Sequence, residues 1–387
     1  MPPSSSRFWK KAAFQTIARA EHLVRGRHRL SEVDRLQIRN FLVLQQESPL
    51  GSVVHATPFY EALKRAIPEA HITVAASHMA AAVLQHNPYI DRSVVTPNPF
   101  ADFRNAARAV RGLFQSLPNG TRCMVTTSGN QRTRLAMLSL IAGDAVRVGY
   151  TLAPELYDLP LFFDPERGQI DGNLDIARKL GHHVPFYEPR IFFTERDAEH
   201  ASRWLESLAV PPSVTRVAFV TQNSGGQRNQ WSAARFQQAI CRLSQHGNAV
   251  PIFLGTANEA ATIEDLRRSL PDPGISLAGK TTISELAAVL AQCDLVVSLD
   301  TGTFHVARAV GLPGVVIAQA WKSPLEWLPV EHPRYRVLRG PTIPEAPPDY
   351  WIEEISADQV CEAAIELMAK YPADPAQRKE RLQHSLR

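Results

Sequence analysis

Leu295-Val-Val-Ser-Leu-Asp300-Thr-Gly-Thr-Phe-His305-Val-Ala-Arg-Ala-Val-Gly311-Leu-Pro313 is the stretch on which the fold turns. An apolar run ends at Asp300, Gly302 interrupts it, and helical spacing begins close to Thr303. A strand that passes through a tight turn into a helix exposes unpaired N–H groups and a positive dipole end there, which suits a phosphate. Gly302 lets the backbone approach an anion with no side chain in the way. His305, one turn into the helix, can donate to a phosphate oxygen, and Asp300 can orient the loop or accept from a ligand hydroxyl. The same residues equally suit an ordinary strand–turn–helix capped by Asp300 or Thr301.

On both sides of this stretch the pattern repeats. Phe41–Leu44, His71–Ala76, Ser93–Thr96, Cys123–Thr126 and Val146–Gly149 read as strands, with helical segments at Pro58–Ile67, Phe103–Leu117 and Arg132–Ile141 between them. After a more irregular region, roughly 151–212, strands are expected at Val217–Thr221, Val250–Leu254, Ile275–Ala278, Leu295–Leu299 and Val315–Ile317. Helices are expected at Ala233–Gln245, Ala257–Ser269, Ile283–Ala291, Thr303–Val310 and Ala357–Met368, with a polar, mobile tail from Tyr371. Short apolar runs separated by helices imply crossovers and mainly parallel sheets covered on both faces. At 387 residues, two α/β domains are the natural expectation.

The composition, 44% hydrophobic and 21% charged, is that of a soluble globular protein. The four cysteines are scattered, which suggests neither a disulfide framework nor a zinc site and fits a reducing compartment. Nothing reads as a signal peptide, and no run of about 18 apolar residues predicts a membrane span. Residues 1–29 carry seven basic side chains against Glu21, leaving −2 on the rest of a chain whose net charge is +4. That balance argues against a nucleic-acid-binding surface over the whole body. Trp9, Ala13, Ile17, Ala20 and Val24 lie near one helical stripe in this arm. The stripe reads either as a helix on an anionic membrane surface, through residues 7–29, or as a helix packed on its own domain.

The quoted block resembles the signature of the ADP-heptose:lipopolysaccharide heptosyltransferase family, glycosyltransferase family 9, whose form is Asp-Thr/Ser-Gly-x-x-His and then Gly-x-Pro. Asp300, Thr301, Gly302 and His305 match at the family spacing, and the resemblance extends over most of residues 38–330. It implies that the Thr301–Gly302 backbone and His305 hold the donor diphosphate. By the same resemblance Thr281, in Leu277-Ala-Gly-Lys280-Thr281, meets the adenine, and Glu259, in Leu254-Gly255-Thr-Ala-Asn-Glu259, meets the ribose hydroxyls. By itself Glu259 reads equally as an acid favoured in a helix first turn. Gly51, in Ser48-Pro-Leu-Gly51-Ser52-Val-Val-His55, belongs to an acceptor-side loop facing the donor.

Two departures stand out. The family's Gly-Asp acid, the usual general base, is Ser52 here, and a neutral hydroxyl cannot accept a proton at pH 7 as a carboxylate does. Glu47 is the first candidate to substitute, with His55 the other. In the family's Lys-x-Trp, Trp231 is kept, but Asn229 takes the lysine place and Arg228 lies one residue earlier. Lys322 lies in the divergent loop Ala318–Pro324 and either approaches phosphate or is solvated.

The resemblance implies two Rossmann-like domains facing across a cleft (GT-B type): an arm at 1–37, an acceptor-side domain at 38–190, a nucleotide-sugar domain at 191–350, and a C-terminal helix and tail at 351–387. It further implies inverting, single-displacement transfer from an ADP-sugar to a glycan or glycolipid acceptor, without metal or cofactor, by a cytoplasmic protein. The competing expectation is a degenerate relative that binds nucleotide or glycan without turnover. A dinucleotide-dependent oxidoreductase is disfavoured, because no Gly-x-Gly-x-x-Gly follows either first strand.

Overall fold

The computed structural model describes residues 13–20, 32–46, 49–129, 132–143, 145–223, 228–347 and 349–387. They divide into two units, Met1–Glu188 and Pro189–Arg387. In the first, the apolar runs form β1 (Asn40–Gln45), β2 (His71–Ala76), β3 (Arg92–Val95), β4 (Arg122–Thr126), β5 (Val146–Tyr150) and β6 (Leu159–Leu161). In the second they form β7 (Thr215–Val220), β8 (Ala249–Phe253), β9 (Ile275–Ser276), β10 (Leu295–Leu299), β11 (Gly314–Ile317) and β12 (Tyr335–Leu338). Each set is one parallel sheet, ordered β3-β2-β1-β4-β5-β6 and β12-β11-β10-β7-β8-β9.

Helices cover both faces, as parallel strands require. In the first unit, α1 (Leu50–Ala66), α2 (His78–Leu84), α3 (Phe103–Gln115), α4 (Thr133–Ser139) and α5 (Gln169–Lys179) alternate with the strands. Val110, Leu113 and Phe114 of α3 pack with Leu135 and Leu138 of α4 on Leu42, Leu44 and Met124. Ala62 of α1 packs with Ile170, Leu174 and Ala177 of α5. The second unit carries α6 (Glu195–Glu206), α7 (Ala233–Gly247), α8 (Ala260–Arg268), α9 (Ile283–Ala291), α10 (Gly302–Ala309), α11 (Ala357–Lys370) and α12 (Pro375–Ser385). Phe236, Ile240 and Leu243 of α7 and Val360, Ala364 and Leu367 of α11 bury Phe219, Phe253, Val297 and Ile317.

Three expectations are corrected. α1 starts at Leu50, not Pro58, so Gly51 and Ser52 stand in its first turn rather than in a loop. Pro58 cannot donate to the Val54 carbonyl; the Thr57 hydroxyl does so instead, at 2.8 Å, and the helix continues. The irregular region contains β6, α5 and α6, whose polar composition hides them; α6 buries only Ala201 and Leu205 and is started by a Thr194–Asp197 capping box. The tail is not a loose end. α12 carries Arg378, which is buried with Asp294: Nε lies 2.8 Å from Oδ1 and Nη2 2.5 Å from Oδ2, and the guanidinium also donates to the Pro212 and Val214 carbonyls. A bidentate pair with its remaining donors satisfied holds the segment down.

Residues 13–20 of the arm are helical, and Phe14 is buried against Ala136, Ala153, Leu156 and Tyr157. Arg7, Lys10, Lys11, Arg25, Arg27 and Arg29 lie outside the described residues. Among the described residues no helix is long and apolar enough to cross a membrane.

In each sheet the connections turn outward in opposite directions from two adjacent strands: β1 and β4 in the first, β7 and β10 in the second. Such a switch leaves a crevice outside the carboxyl ends of those strands, the place where open α/β sheets bind ligands.

Candidate functional site

The carboxyl edge of the second sheet is built by the ends of β7, β10 and β11. β10 is wholly buried, and at its end the Asp300 N–H donates to the Ile317 carbonyl at 3.2 Å. Thr301 is the N-cap of α10, with extended backbone, yet its side chain caps nothing. Its buried Oγ1 has no hydrogen-bond partner. Gly302 and Thr303, the first two residues of α10, are partly exposed, while Thr301 is buried.

Two further buried atoms at this edge lack partners: Thr221 Oγ1, just past β7, and Gln319 Oε1, just past β11. Gln319 uses its other end, with Nε2 donating to Asp300 Oδ2 at 3.0 Å. Most buried polar groups are satisfied, and leaving one unmade costs about 1–3 kcal/mol. Three such atoms at the ends of three neighbouring strands, beside an uncapped helix start, are what a site completed by a polar ligand looks like. Neither Thr221 nor Gln319 was singled out from the sequence; one polar residue after an apolar strand leaves no pattern to find.

His305 is placed one turn into α10 but is covered, its ring between Phe304 and Trp327 at centroid distances of 5.8 and 6.0 Å. Nε2 stands 3.7 Å from Asp300 Oδ1, too long for a hydrogen bond. Burial, and then the Arg308 charge, push its pKa down to about 3, so the imidazole is neutral at physiological pH. Burial raises the Asp300 pKa, opposed by the Gln319 hydrogen bond and the charge of Lys322. His305 thus stands one turn into α10, as the sequence places it, with its side chain buried.

Asn229, in the family's lysine place, is buried and braces the loop. Its Nδ2 donates to the Asp300 carbonyl at 2.7 Å, and its Oδ1 accepts from Asn223 Nδ2 at 2.6 Å. Arg228 is exposed, and one guanidinium nitrogen donates to the Ala346 carbonyl at 2.7 Å. Trp231 belongs to the core, donating to the Ile355 carbonyl. Lys322 is exposed with Nζ 4.7 Å above the Trp321 ring, a cation–π contact that leaves its charge beside Asp300.

Glu259 and Thr281 are carried on two loops that touch. The Gly279 N–H donates to the Gly255 carbonyl at 2.9 Å. Gly279, at φ +70°, approaches so closely that a Cβ there would lie 2.7 Å from Ala257 Cα. Glu259 Oε2 accepts from the Thr256 N–H at 2.7 Å in a capping box, the structural role its position allowed. Thr281, partly exposed, precedes the N-cap of α9.

In the first unit Ser52 and His55 are buried on α1, and Glu47 lies outside the described residues. Gly129 lies so close that a Cβ on it would be 3.5 Å from Ser52 Cβ. Among the described residues no three His, Cys, Asp or Glu side chains are grouped to hold a metal ion.

Residues 194–339 match the family model described as glycosyltransferase family 9 (heptosyltransferase). Lipooligosaccharide heptosyltransferase 2 of Haemophilus influenzae is 31% identical over 126 residues, 32% of this chain and 36% of that protein. Its counterpart in Haemophilus ducreyi is 22% identical over 291 residues, 70% and 80% of the respective chains. The crystal structure of a family 9 glycosyl transferase from Veillonella parvula superposes with a TM-score of 0.76 at 20% identity, over 86% of this chain and 98% of that one, which shows the fold. The likeness to glycosyltransferase family 9 (heptosyltransferase) is carried by residues 194–339.

Proposed function

We propose that this protein transfers a heptose or similar sugar from an ADP-sugar to a glycan or glycolipid acceptor of the lipopolysaccharide type, with inversion and without metal or cofactor. The observation that carries this reading is the trio of unpartnered buried atoms, Thr221 Oγ1, Thr301 Oγ1 and Gln319 Oε1, at the carboxyl edge of the second sheet. As the glycosidic bond breaks, negative charge grows on the leaving diphosphate. The Gly302 and Thr303 amides, the Thr301 hydroxyl and the Lys322 ammonium meet that charge. Neutral His305 keeps the turn in place without adding a buried cation. Glu47, preceding the helix that bears Ser52, is the proposed proton acceptor.

The test is incubation of the purified protein with ADP-heptose and acceptor, following ADP release with and without chelator. Activity lost to chelator and restored by Mg²⁺ or Mn²⁺ removes metal independence. A second reading, nucleotide binding without turnover, is favoured by Ser52 and by the engagement of the Asn229 amide within its own loop. Calorimetric ADP binding with no release of sugar from any donor selects it.

We further propose that the protein acts in the cytoplasm at the inner face of the membrane, held by the basic charges of the arm. Phe14 is turned to its own unit, so the attraction is electrostatic and cosedimentation with anionic vesicles falls on raising the salt.

A further inference from the structure

A cavity of ≈ 190 Å³ opens in the first unit beyond the carboxyl ends of β5 and β6. It is smaller than the roughly 300 Å³ at which pockets for drug-sized ligands begin, so it admits a single ring rather than a nucleotide. One side is formed by Ser128 and Gln169, where the Ser128 hydroxyl donates to Gln169 Oε1 at 2.5 Å. The residue after Ser128, Gly129, lies near Ser52, the position at which the family's acid is replaced: a Cβ on it would be 3.5 Å from Ser52 Cβ.

Part of the lining is aromatic. Phe162 and Phe163 line the cavity and are 67% and 41% exposed, the former among the most exposed large apolar side chains described. Asp164, Arg167 and Asp175 also line the cavity, with Arg167 Nη2 2.9 Å from Asp175 Oδ1. Flat apolar faces beside carboxylates and a guanidinium match one class of small molecule, a sugar ring, whose C–H face covers an aromatic ring while its hydroxyls donate to carboxylates and accept from arginine. Two carboxylates against one guanidinium give the lining a net charge of −1, which repels a sugar bearing a carboxylate or phosphate.

We infer that this cavity is an acceptor subsite for a neutral pyranose. The assignment rests on the glycosyltransferase reading above and narrows it: the sugar next to the transfer point is uncharged.

The experiment is saturation-transfer NMR on the full chain with methyl α-D-glucopyranoside, methyl α-D-mannopyranoside and L-glycero-D-manno-heptose, beside 3-deoxy-octulosonic acid and glucose 6-phosphate. At least one neutral sugar is expected to bind, weakly, and the two anionic sugars at least tenfold less. Phe162→Ala and Phe163→Ala should each weaken the neutral sugar about tenfold, and these exposed positions leave the melting temperature unchanged. Asp164→Asn, which keeps the oxygen that accepts from the Glu166 N–H, should narrow the discrimination against the anionic sugars. Absence of neutral-sugar binding at tens of millimolar, equal binding of the anionic sugars, or indifference to both phenylalanine substitutions overturns the assignment. ADP titration of the same samples reads the second unit separately. Sugar binding without ADP binding defeats the transferase reading and sustains the pocket; ADP binding without sugar binding does the reverse.

Discussion

The two sheets share a topology and use the same edge in opposite ways. At the carboxyl edge of the first, the polar groups answer one another. Gln45 Oε1 accepts from Thr127 Oγ1 at 3.0 Å and Tyr60 Oη at 3.3 Å, while Gln46 Nε2 donates to the Ala75 carbonyl and Thr96 Oγ1. Asn173 accepts from the Ser128 N–H and donates to the His55 and Gln169 carbonyls. At the corresponding edge of the second sheet, Thr221, Thr301 and Gln319 each keep a buried oxygen unpaired. One edge is a closed network that rigidifies the unit; the other carries a cost in the free protein that a ligand removes. Topology supplies the crevice, and side-chain satisfaction tells which crevice is built to be filled.

The strongest way to break this contrast is to substitute under each edge and follow turnover. His305→Asn should lower ADP-sugar turnover by about 10²–10³-fold, the range for losing a group that fixes anion-stabilising donors. Ser52→Ala should change it less than about tenfold, because a hydroxyl is not the proton acceptor. A Ser52→Ala loss as large as that of His305→Asn would move the chemistry to the first edge.

The pH dependence of stability sharpens the contrast further. His305 has a folded-state pKa of about 3 against an ordinary 6.5, so the unfolded chain takes up the proton first. Its contribution is fully present above pH 6.5 and is lost as pH falls toward 3, by up to about 1.4 kcal/mol per pH unit. Asp300, with its pKa raised, works in the other direction at the acid end. Denaturant midpoints from pH 7 to 5 should therefore fall in the native chain and fall less in His305→Asn. Equal slopes would mean that the imidazole is not held neutral.

Gln45→Ala probes the closed edge. It removes an acceptor shared by two buried hydroxyls, Thr127 Oγ1 and Tyr60 Oη, and should cost about 2 kcal/mol, lowering the melting temperature by roughly 4–8 °C, with ADP affinity unchanged. A weakened ADP affinity would show that the first edge also serves the nucleotide.

The strands were legible because parallel strands covered on both faces read as unbroken apolar runs; Leu295–Leu299 and His71–Ala76 could be bounded to the residue. Edge strands are short and half-exposed, so Leu159–Leu161 and Tyr335–Leu338 carried no such signal. The start of α1 was hidden by Pro58, since nothing local announces that Thr57 takes over its hydrogen bond. At the site, Asp300 to His305 could be read as strand, turn and helix because those residues are contiguous. The brace role of Asn229 could not, because its partner carbonyl is 71 residues away. Burial of His305 depends on Trp327, on a segment without helix or strand periodicity.

Thr301→Val gives the smallest and most discriminating effect. Valine keeps the shape and removes an oxygen that bonds nothing in the free protein. If that oxygen waits for a ligand, the unliganded chain should be as stable as before or more stable by about 0.5 kcal/mol, since replacing an unsatisfied buried group by an apolar one of the same shape relieves its desolvation. ADP should bind about tenfold more weakly, the loss of one hydrogen bond to a charged group. Thermal melts with and without ADP measure both quantities on one sample, because the ligand-induced rise in melting temperature reports affinity. A variant that melts lower without ADP and binds it normally would mean that Thr301 is paired inside the protein, and the second edge would then be as closed as the first.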